Sequence, residues 1–418
     1  MTSSLLIGCA KRPVTSHEPI GVPTSGAELG GTPLKAVLFP YIPDSVGDDF
    51  ASLIEYLTTE FEKAHPEIDL EIVIDQNLDL YDYSPDGVLS QLLGDGEGAA
   101  QVVEIDTLLL GNLVESDWVQ PLGLENPGMY RTAWEAASLA DVQYGMPTYV
   151  CSNVIYAMKP GLGGVGNAWE LLEFLREAGP ADVPLVGNYK GSWTLPSTYL
   201  DSWADTHDND PSDVAGAFEL PLDHDTLMWF QQVVTSCQVP GGTDNPCLDG
   251  TYQYNTAAED AFAAGASNGY IGYTERLFYI LQAMTDPMLP DVTSAPIGGG
   301  TNPVMFVDAL VFNPNCDGEC LEASQAFATF MSRTEVRSVI AFSLDGLPGT
   351  PPRYLLQARA DFYTSEPAVS DPMYEAYVPI VESAQPLPSQ GFPDSRKALD
   401  AALTEALEGA LVEAAARR

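Results

Sequence analysis

The sequence predicts an α/β protein of two lobes around a cleft, and three observations predict it. The chain has 418 residues, too many for one compact core of ordinary size. Its first patterned stretch reads strand, helix, strand. After a long helix-rich middle, strand character returns near residue 303, as it does when a chain goes back to a sheet it had left.

The elements follow in order. "LKAVLFPYIPD" (34–44) is a short apolar strand closed by a turn at Pro43-Asp44. Over 48–67, Phe50, Leu53, Ile54, Leu57 and Phe61 form a helical stripe that ends near Pro66. "IDLEIVIDQ" is a second strand, and the unit is β-α-β. "QVVEIDTLLLGNLVESDWVQPL" (101–122) reads as a strand ending at Asp106, then a helix, then a loop. A side chain at the C-terminal end of such a strand sits where open α/β sheets bind ligands. "YGMPTYVCSNVIYAM" (144–158) alternates like one strand, which would place Tyr149, Cys151 and Asn153 on one face. From about 160 to 295 helical patterns dominate, broken by the strand "GYIGY". "NPVMFVDALVFNPN" is again a strand, and the chain closes on an Ala/Leu helix with arginines at its end, which suits the helix dipole. The expected division is a tether over 1–33, a first lobe of 34–148 plus about 300–350, and a second lobe of 149–299 plus about 351–418. Together these describe a periplasmic-binding-protein-like (type II) fold with a hinge and an interlobe cleft.

Charge narrows the function. Seventeen basic residues stand against 59 acidic ones, a formal net charge of -42. A nucleic-acid binder needs a basic footprint to neutralise phosphates, so nucleic acid is excluded, and anionic membrane surfaces are disfavoured for the same reason. The field favours a cationic small ligand, although acidity also simply keeps an exported protein soluble. No apolar run approaches the ~20 residues needed to span a bilayer. "LLIGCAKRP" places Leu6, Ile7 and Gly8 before Cys9 in the manner of a bacterial lipoprotein cleavage box, and a Pro/Gly/Ser/Thr-rich tether follows. The expectation is an exported chain, extracellular or periplasmic, lipid-anchored through Cys9, its start lying upstream, and monomeric.

There are six cysteines. Cys237 and Cys247 bracket the turn-rich "QVPGGTDNP"; Cys316 and Cys320 bracket "DGE". Both read as local disulfides of an exported protein. The four histidines are scattered, so a zinc site at Cys316 and Cys320 is disfavoured and no metal is expected. Cys151 is left as the unpaired thiol. It is either a core thiol or a nucleophile. A nucleophile needs a base, and no histidine is an obvious partner. A carboxylate raised by burial can serve. Asp106 after "VVEI", Glu275 after "YIGYT" and Asp308 after "VMFV" each lie at or near the end of an apolar strand. Each also has a plain alternative: Glu275 as a first-turn helix acid, Asp106 and Asp308 as caps. Tyrosines in "FPYIPD", "LYDYSPD", "TYQY" and "GYIGY" suit a flat or cationic heterocycle, and equally a sugar.

The stretches "LKAVLFPYIPD", "YDYSPD", "VVEIDTLLLGNLVESDWVQPL", "YGMPTYVCSNVIYAMK", "FAAGASNGYIGYTE", "FVDALVFN" and "RYLLQAR" occur in one order over most of 34–410. In this the chain resembles the thiaminase I (thiamine pyridinylase) family. The resemblance implies a transferase without cofactor that cleaves thiamine at its methylene and passes the pyrimidine to a pyridine-, aniline- or thiol-type acceptor. It implies Cys151 as the nucleophile and Glu275 as its acid/base. It also implies substrate contacts at Asp106, Asp308, Tyr41, Tyr273 and either Tyr252 or Tyr254. Phe306-Val307 stand where the family pattern has Tyr-Ser, and the two cysteine-bracketed loops look like additions. The alternative is a non-catalytic lipoprotein that captures thiamine or a related heterocycle for uptake.

Overall fold

The computed structural model describes residues 31–191, 193–207, 214–239, 244–253, 256–300 and 303–417. Cys9 and Tyr254 lie outside the described residues. In chain order the strands are β1 (Thr32–Val37), β2 (Ile68–Val73), β3 (Val102–Asp106), β4 (Ser138–Leu139), β5 (Val142–Gln143), β6 (Gly145–Cys151), β7 (Asn153–Ala157), β8 (Val183–Gly187), β9 (Ser267–Tyr273), β10 (Asp291–Ser294), β11 (Val304–Phe312), β12 (Leu356–Gln357) and β13 (Gln385–Pro386).

Two mixed sheets carry the two lobes. The first runs β12-β6-β11-β3-β1-β2, with β13 beside the start of β11; the second runs β10-β7-β9-β8; β4 and β5 form a separate hairpin. The β1–β2 pair is parallel, as a crossover through a helix requires. That helix, Ala51–Ala64, buries Leu53, Leu57 and Phe61 at i, i+4, i+8 and stops at His65, immediately before Pro66. Every residue of β3 and of β11 is buried, because both strands lie inside the first sheet and are covered on both faces.

The segment 144–158 departs from the single strand its alternation predicts. β6 ends at Cys151 in the first sheet, and β7 begins at Asn153 in the second. Only Ser152 lies between them. Asn153 therefore belongs to another sheet and does not continue the face of Tyr149 and Cys151. Period-2 patterning is the same on both sides of the crossing, so it cannot mark the change of sheet.

The chain crosses back between β10 and β11, and one helix holds both of these sheet-to-sheet crossings; a third passage, from β13 to the C-terminal helix, follows later. Asp201, on helix Thr194–Thr206, accepts from Asn153 Nδ2 (2.5 Å) and from Val304 N (3.2 Å). Ser152 Oγ donates to Val304 O (2.9 Å). One turn further on, Asp205 accepts from Gly298 N (3.1 Å). The returning chain lies so close to this helix that a Cβ on Gly298 or Gly300 would come within 2.8 Å of Asp205; "GGG" at 298–300 is what that approach needs. The C-terminal helix, Phe392–Arg417, buries Leu399, Leu403 and Leu407 and packs on helices Thr194–Thr206 and His224–Thr235 of the second lobe.

Candidate active site

The two crossings open onto a cleft with two adjoining chambers. One has a volume of about 350 Å³ and is walled by Phe39, Tyr41, Tyr81, Trp193, Tyr273 and Phe306, with Cys151, Asp106, Asp308 and Glu275 among them. The other, about 380 Å³, mixes amide and hydroxyl side chains with the charged Glu259, Glu275 and Arg276 and with apolar faces such as Ile42 and Ile271. Tyr41, Ile42, Tyr273 and Glu275 border both.

Sheet register explains the convergence. Cys151 on β6 is paired with Phe306 on β11, and Asp308, two residues on, is paired with Asp106 at the end of β3. Glu275 arrives from the other lobe, two residues after β9 ends at Tyr273. Thus residues from both lobes face one cavity. Asp308 sits in mid-strand, at a register shift between Val307 and Ala309, rather than capping a turn. Asp106 does cap: its Oδ1 accepts from Leu108 N (3.0 Å), and its Oδ2 accepts from the Tyr81 hydroxyl (3.1 Å). Glu275 occupies the N-cap position of helix Arg276–Ala283 without making a capping bond, and its Oε2 has no partner. A buried carboxylate oxygen with no partner is costly, so the first-turn-acid reading does not account for it. Thr274 Oγ1 beside it is also unpartnered.

The acidic groups shape one another. Burial pushes Glu275 up to about 7, against the pull of Arg276. Burial pushes Asp106 to about 7 as well, although the Leu108 amide and Tyr81 hydroxyl favour its charge. Asp308 is raised well above the carboxylate range by burial and then by the neighbouring Asp106. One carboxyl of that pair therefore retains a proton at neutral pH. Burial raises the Cys151 thiol, and the fields of Asp308, Glu275, Asp106 and Glu104 raise it further. Glu104 lies behind the site, accepting from Phe39 N (2.9 Å) and Thr148 Oγ1. On the far side of Glu104 and Asp308 lies the buried Arg337, bonded to Gln357 Oε1 (2.7 Å) and Thr148 O (3.0 Å) with its guanidinium 3.9 Å over the Tyr149 ring. No described histidine lines either chamber.

The aromatic wall is closed across the lobes. Tyr81 meets Phe39 (5.8 Å between centroids), Tyr41 (5.9 Å) and Trp193 (4.3 Å). Trp193 is backed by Phe392 (5.6 Å) and by the Arg396 guanidinium 4.2 Å over its ring. Tyr273 packs edge-on against Phe306 (5.9 Å) and donates to Ser197 Oγ (3.2 Å). The loop that carries Tyr41 is pinned from below by Arg353, which is fully buried, ion-paired to Asp345 (2.6 Å) and bonded to Pro43 O (2.7 Å). Tyr252 lines the polar chamber and not the cysteine chamber. Trp193 was missed in the sequence: its segment, "YKGSWTLP", has no pattern that brings it opposite Tyr81. Tyr81 lies within the noted "LYDYSPD" without a role assigned there.

The four remaining described cysteines are paired, Cys237 with Cys247 and Cys316 with Cys320, at Cα separations of 6.1 and 5.3 Å. Among the described residues Cys151 is the free thiol, and it is partly accessible. Two disulfides fit an exported protein.

No family model matches the chain, and no curated protein matches it. Solved structures do. Thiaminase I from Bacillus thiaminolyticus aligns at a TM-score of 0.69 with 21% identity, covering 90% of this chain and 99% of that one. Clostridium botulinum thiaminase I in complex with thiamin aligns at 0.69 with 18% identity, over 90% and 99%. Maltose-bound MalE3 of T. maritima aligns at 0.65 with 12% identity, over 93% and 99%. At such identities the likeness speaks for the fold: this chain has the two-lobed α/β architecture that thiaminase I and the maltose-type binding proteins have in common.

Proposed function

We propose that the chain is a thiaminase I-type transferase, which moves the pyrimidinylmethyl group of thiamine from its thiazole to a small nucleophile through a covalent adduct on Cys151. The observation that carries this reading is the meeting of Cys151 and Glu275, from different lobes, in one aromatic, acid-floored cavity without histidine. A receptor that only captures its ligand needs neither group.

The electrostatics support the same reading. Burial and four carboxyl groups hold the thiol neutral. A bound cationic heterocycle offsets those charges and stabilises the thiolate. The aromatic walls stack on its rings. Glu275, near 7, has the affinity to take the thiol proton at neutral pH. The sulfur then bonds to C6 of the pyrimidine. The methylene–nitrogen bond breaks and its electron pair leaves on the neutral thiazole. An acceptor attacks the methylene, and the carbon–sulfur bond breaks to return the pair to Cys151. Closure of the lobes around Trp193 and Tyr81 keeps water from competing with the acceptor.

The test is mass spectrometry of products after incubation with thiamine and pyridine. The expected product is a pyrimidine–pyridinium adduct, and Cys151→Ser should lower its formation by at least about 10³-fold while thiamine binding persists. A fully active serine variant would refute the nucleophile. Binding of thiamine with no product from the wild-type chain would make it a capture protein instead.

A further inference from the structure

The polar chamber beside Glu275 does not count Cys151 among its lining residues. Its side chains come from Gln76 of the first lobe and from Asn188, Tyr189, Thr194, Tyr252 and Gln253 of the second. The Tyr189 hydroxyl, on a residue 2% exposed, has no hydrogen-bond partner, and neither does Glu275 Oε2. Both orphaned atoms belong to residues that line this space. Both oxygens are buried, so a small movement of either side chain would let a ligand in the chamber pair them. Asn188 Oδ1 accepts from Lys190 N (3.0 Å), which leaves its NH2 group to donate.

The chamber's Arg276 and Glu259 are already engaged with each other. Arg276 Nε is bonded to Glu259 Oε1 (2.5 Å), and Glu259 also accepts from the Tyr270 hydroxyl (2.7 Å). No described cation there is set apart for an anionic ligand, and Glu275 opposes one. The walls are also held rigid by a feature of this chain. Tyr189 N donates to Cys247 O (2.9 Å), Gly187 N donates to Cys247 Sγ (3.4 Å), and Tyr252 N donates to Pro246 O (3.3 Å). The Cys237–Cys247 disulfide thus anchors the strand end that carries Tyr189 and the loop that carries Tyr252 and Gln253.

Resting on the thiaminase reading, we propose that this chamber is the acceptor site, and that the acceptor is a small neutral nitrogen nucleophile bearing a hydroxyl or carboxamide group. Glu275 borders both chambers, so it can serve both half-reactions. It first takes the Cys151 proton and later returns it to the departing sulfur. As a carboxylate again, it takes the N–H proton of an amine acceptor once the acceptor's lone pair has bonded to the methylene. A pyridine-type acceptor has no such proton and leaves as the pyridinium.

The test uses the full chain carrying Cys151→Ser, saturated with thiamine, and calorimetric titration with pyridine, nicotinamide and nicotinate. Nicotinamide should bind about tenfold tighter than pyridine, the worth of one or two hydrogen bonds, and nicotinate should gain nothing. In turnover by the otherwise native enzyme, kcat/KM for nicotinamide over pyridine should show the same ratio. Tyr189→Phe, and separately Gln253→Leu, should collapse that ratio toward one. Equal affinity for all three probes, or a ratio unmoved by both variants, would overturn the assignment. Absence of any thiamine cleavage would refute the proposed function, while the titration still reports the chamber's preference.

Discussion

Cys151 and Glu275 present an acid–base problem with a definite sign. The thiol is raised, chiefly by burial, so it keeps its proton until a cationic group lies beside it. Glu275, at about 7, must be ionised to receive that proton. Activity should therefore rise as pH climbs through about 7. Burial also brings Asp106 to about 7, beside the carboxyl of Asp308, so the macroscopic limb belongs to the group of acids rather than to one residue. Glu275→Gln separates them: kcat should fall by about 10²–10⁴-fold, and the residual rate should lose its rise near pH 7. If the variant keeps the wild-type pH profile in stopped-flow assays, the base lies elsewhere.

Among the elements, helix Thr194–Thr206 does the most to connect hinge and site. Along one face it carries Ser197 to Tyr273, Asp201 to both lobe crossings and Asp205 to the returning chain. Burial raises Asp201 to about 8, although its two hydrogen-bond donors favour the charge. The folded state thus binds a proton that the unfolded chain releases near the ordinary carboxylate value. Stability from this group is full below that ordinary value and is lost as pH rises through about 8. Asp201→Asn removes the titration, but its single oxygen can accept from only one of the two donors, Asn153 Nδ2 and Val304 N, and its NH2 group faces the other. Its melting temperature should lie below that of the wild type at pH 5 by about 2–4 °C, and the gap should narrow at pH 8.5, where the wild type has lost the stability of its protonated carboxyl. A variant equally destabilised at both values would show that the charged carboxylate is what holds the hinge.

For the whole molecule, the net charge of -42 and the buried acids act in the same direction. Glu275, Asp106 and Asp201 all have folded values above the ordinary carboxylate range, so each contributes less as pH rises. Self-repulsion among surface carboxylates adds to this and is screened within a Debye length of about 10 Å at 0.1 M salt. Thermal melts should therefore show higher stability at pH 5.5 than at 8.5, with several degrees gained at pH 8.5 between 10 mM and 500 mM NaCl. A melting temperature indifferent to salt would mean that the acidic surface is locally neutralised.

Much of this was determined by the sequence alone. The β-α-β start, the buried strand over 304–312 and the amphipathic helices are local patterns, readable because each element must bury one face. Cysteine spacing pointed to both disulfides, since loops of so few residues close on themselves. The odd thiol and the lack of a suitable histidine directed attention to the strand-end acids Asp106, Glu275 and Asp308, and only the family likeness singled out Glu275 among them. Tertiary structure alone decided the rest. Alternation continues unbroken through Cys151, Ser152 and Asn153, so only the pairing of strands shows that the chain changes sheets there. Trp193 and Tyr81 lie more than a hundred residues apart, on different lobes, and their contact depends on how the lobes close. The orphaned oxygens of Tyr189 and Glu275 have the same origin: a hydrogen bond left unmade is a property of the packed surroundings, which no stretch of local sequence contains.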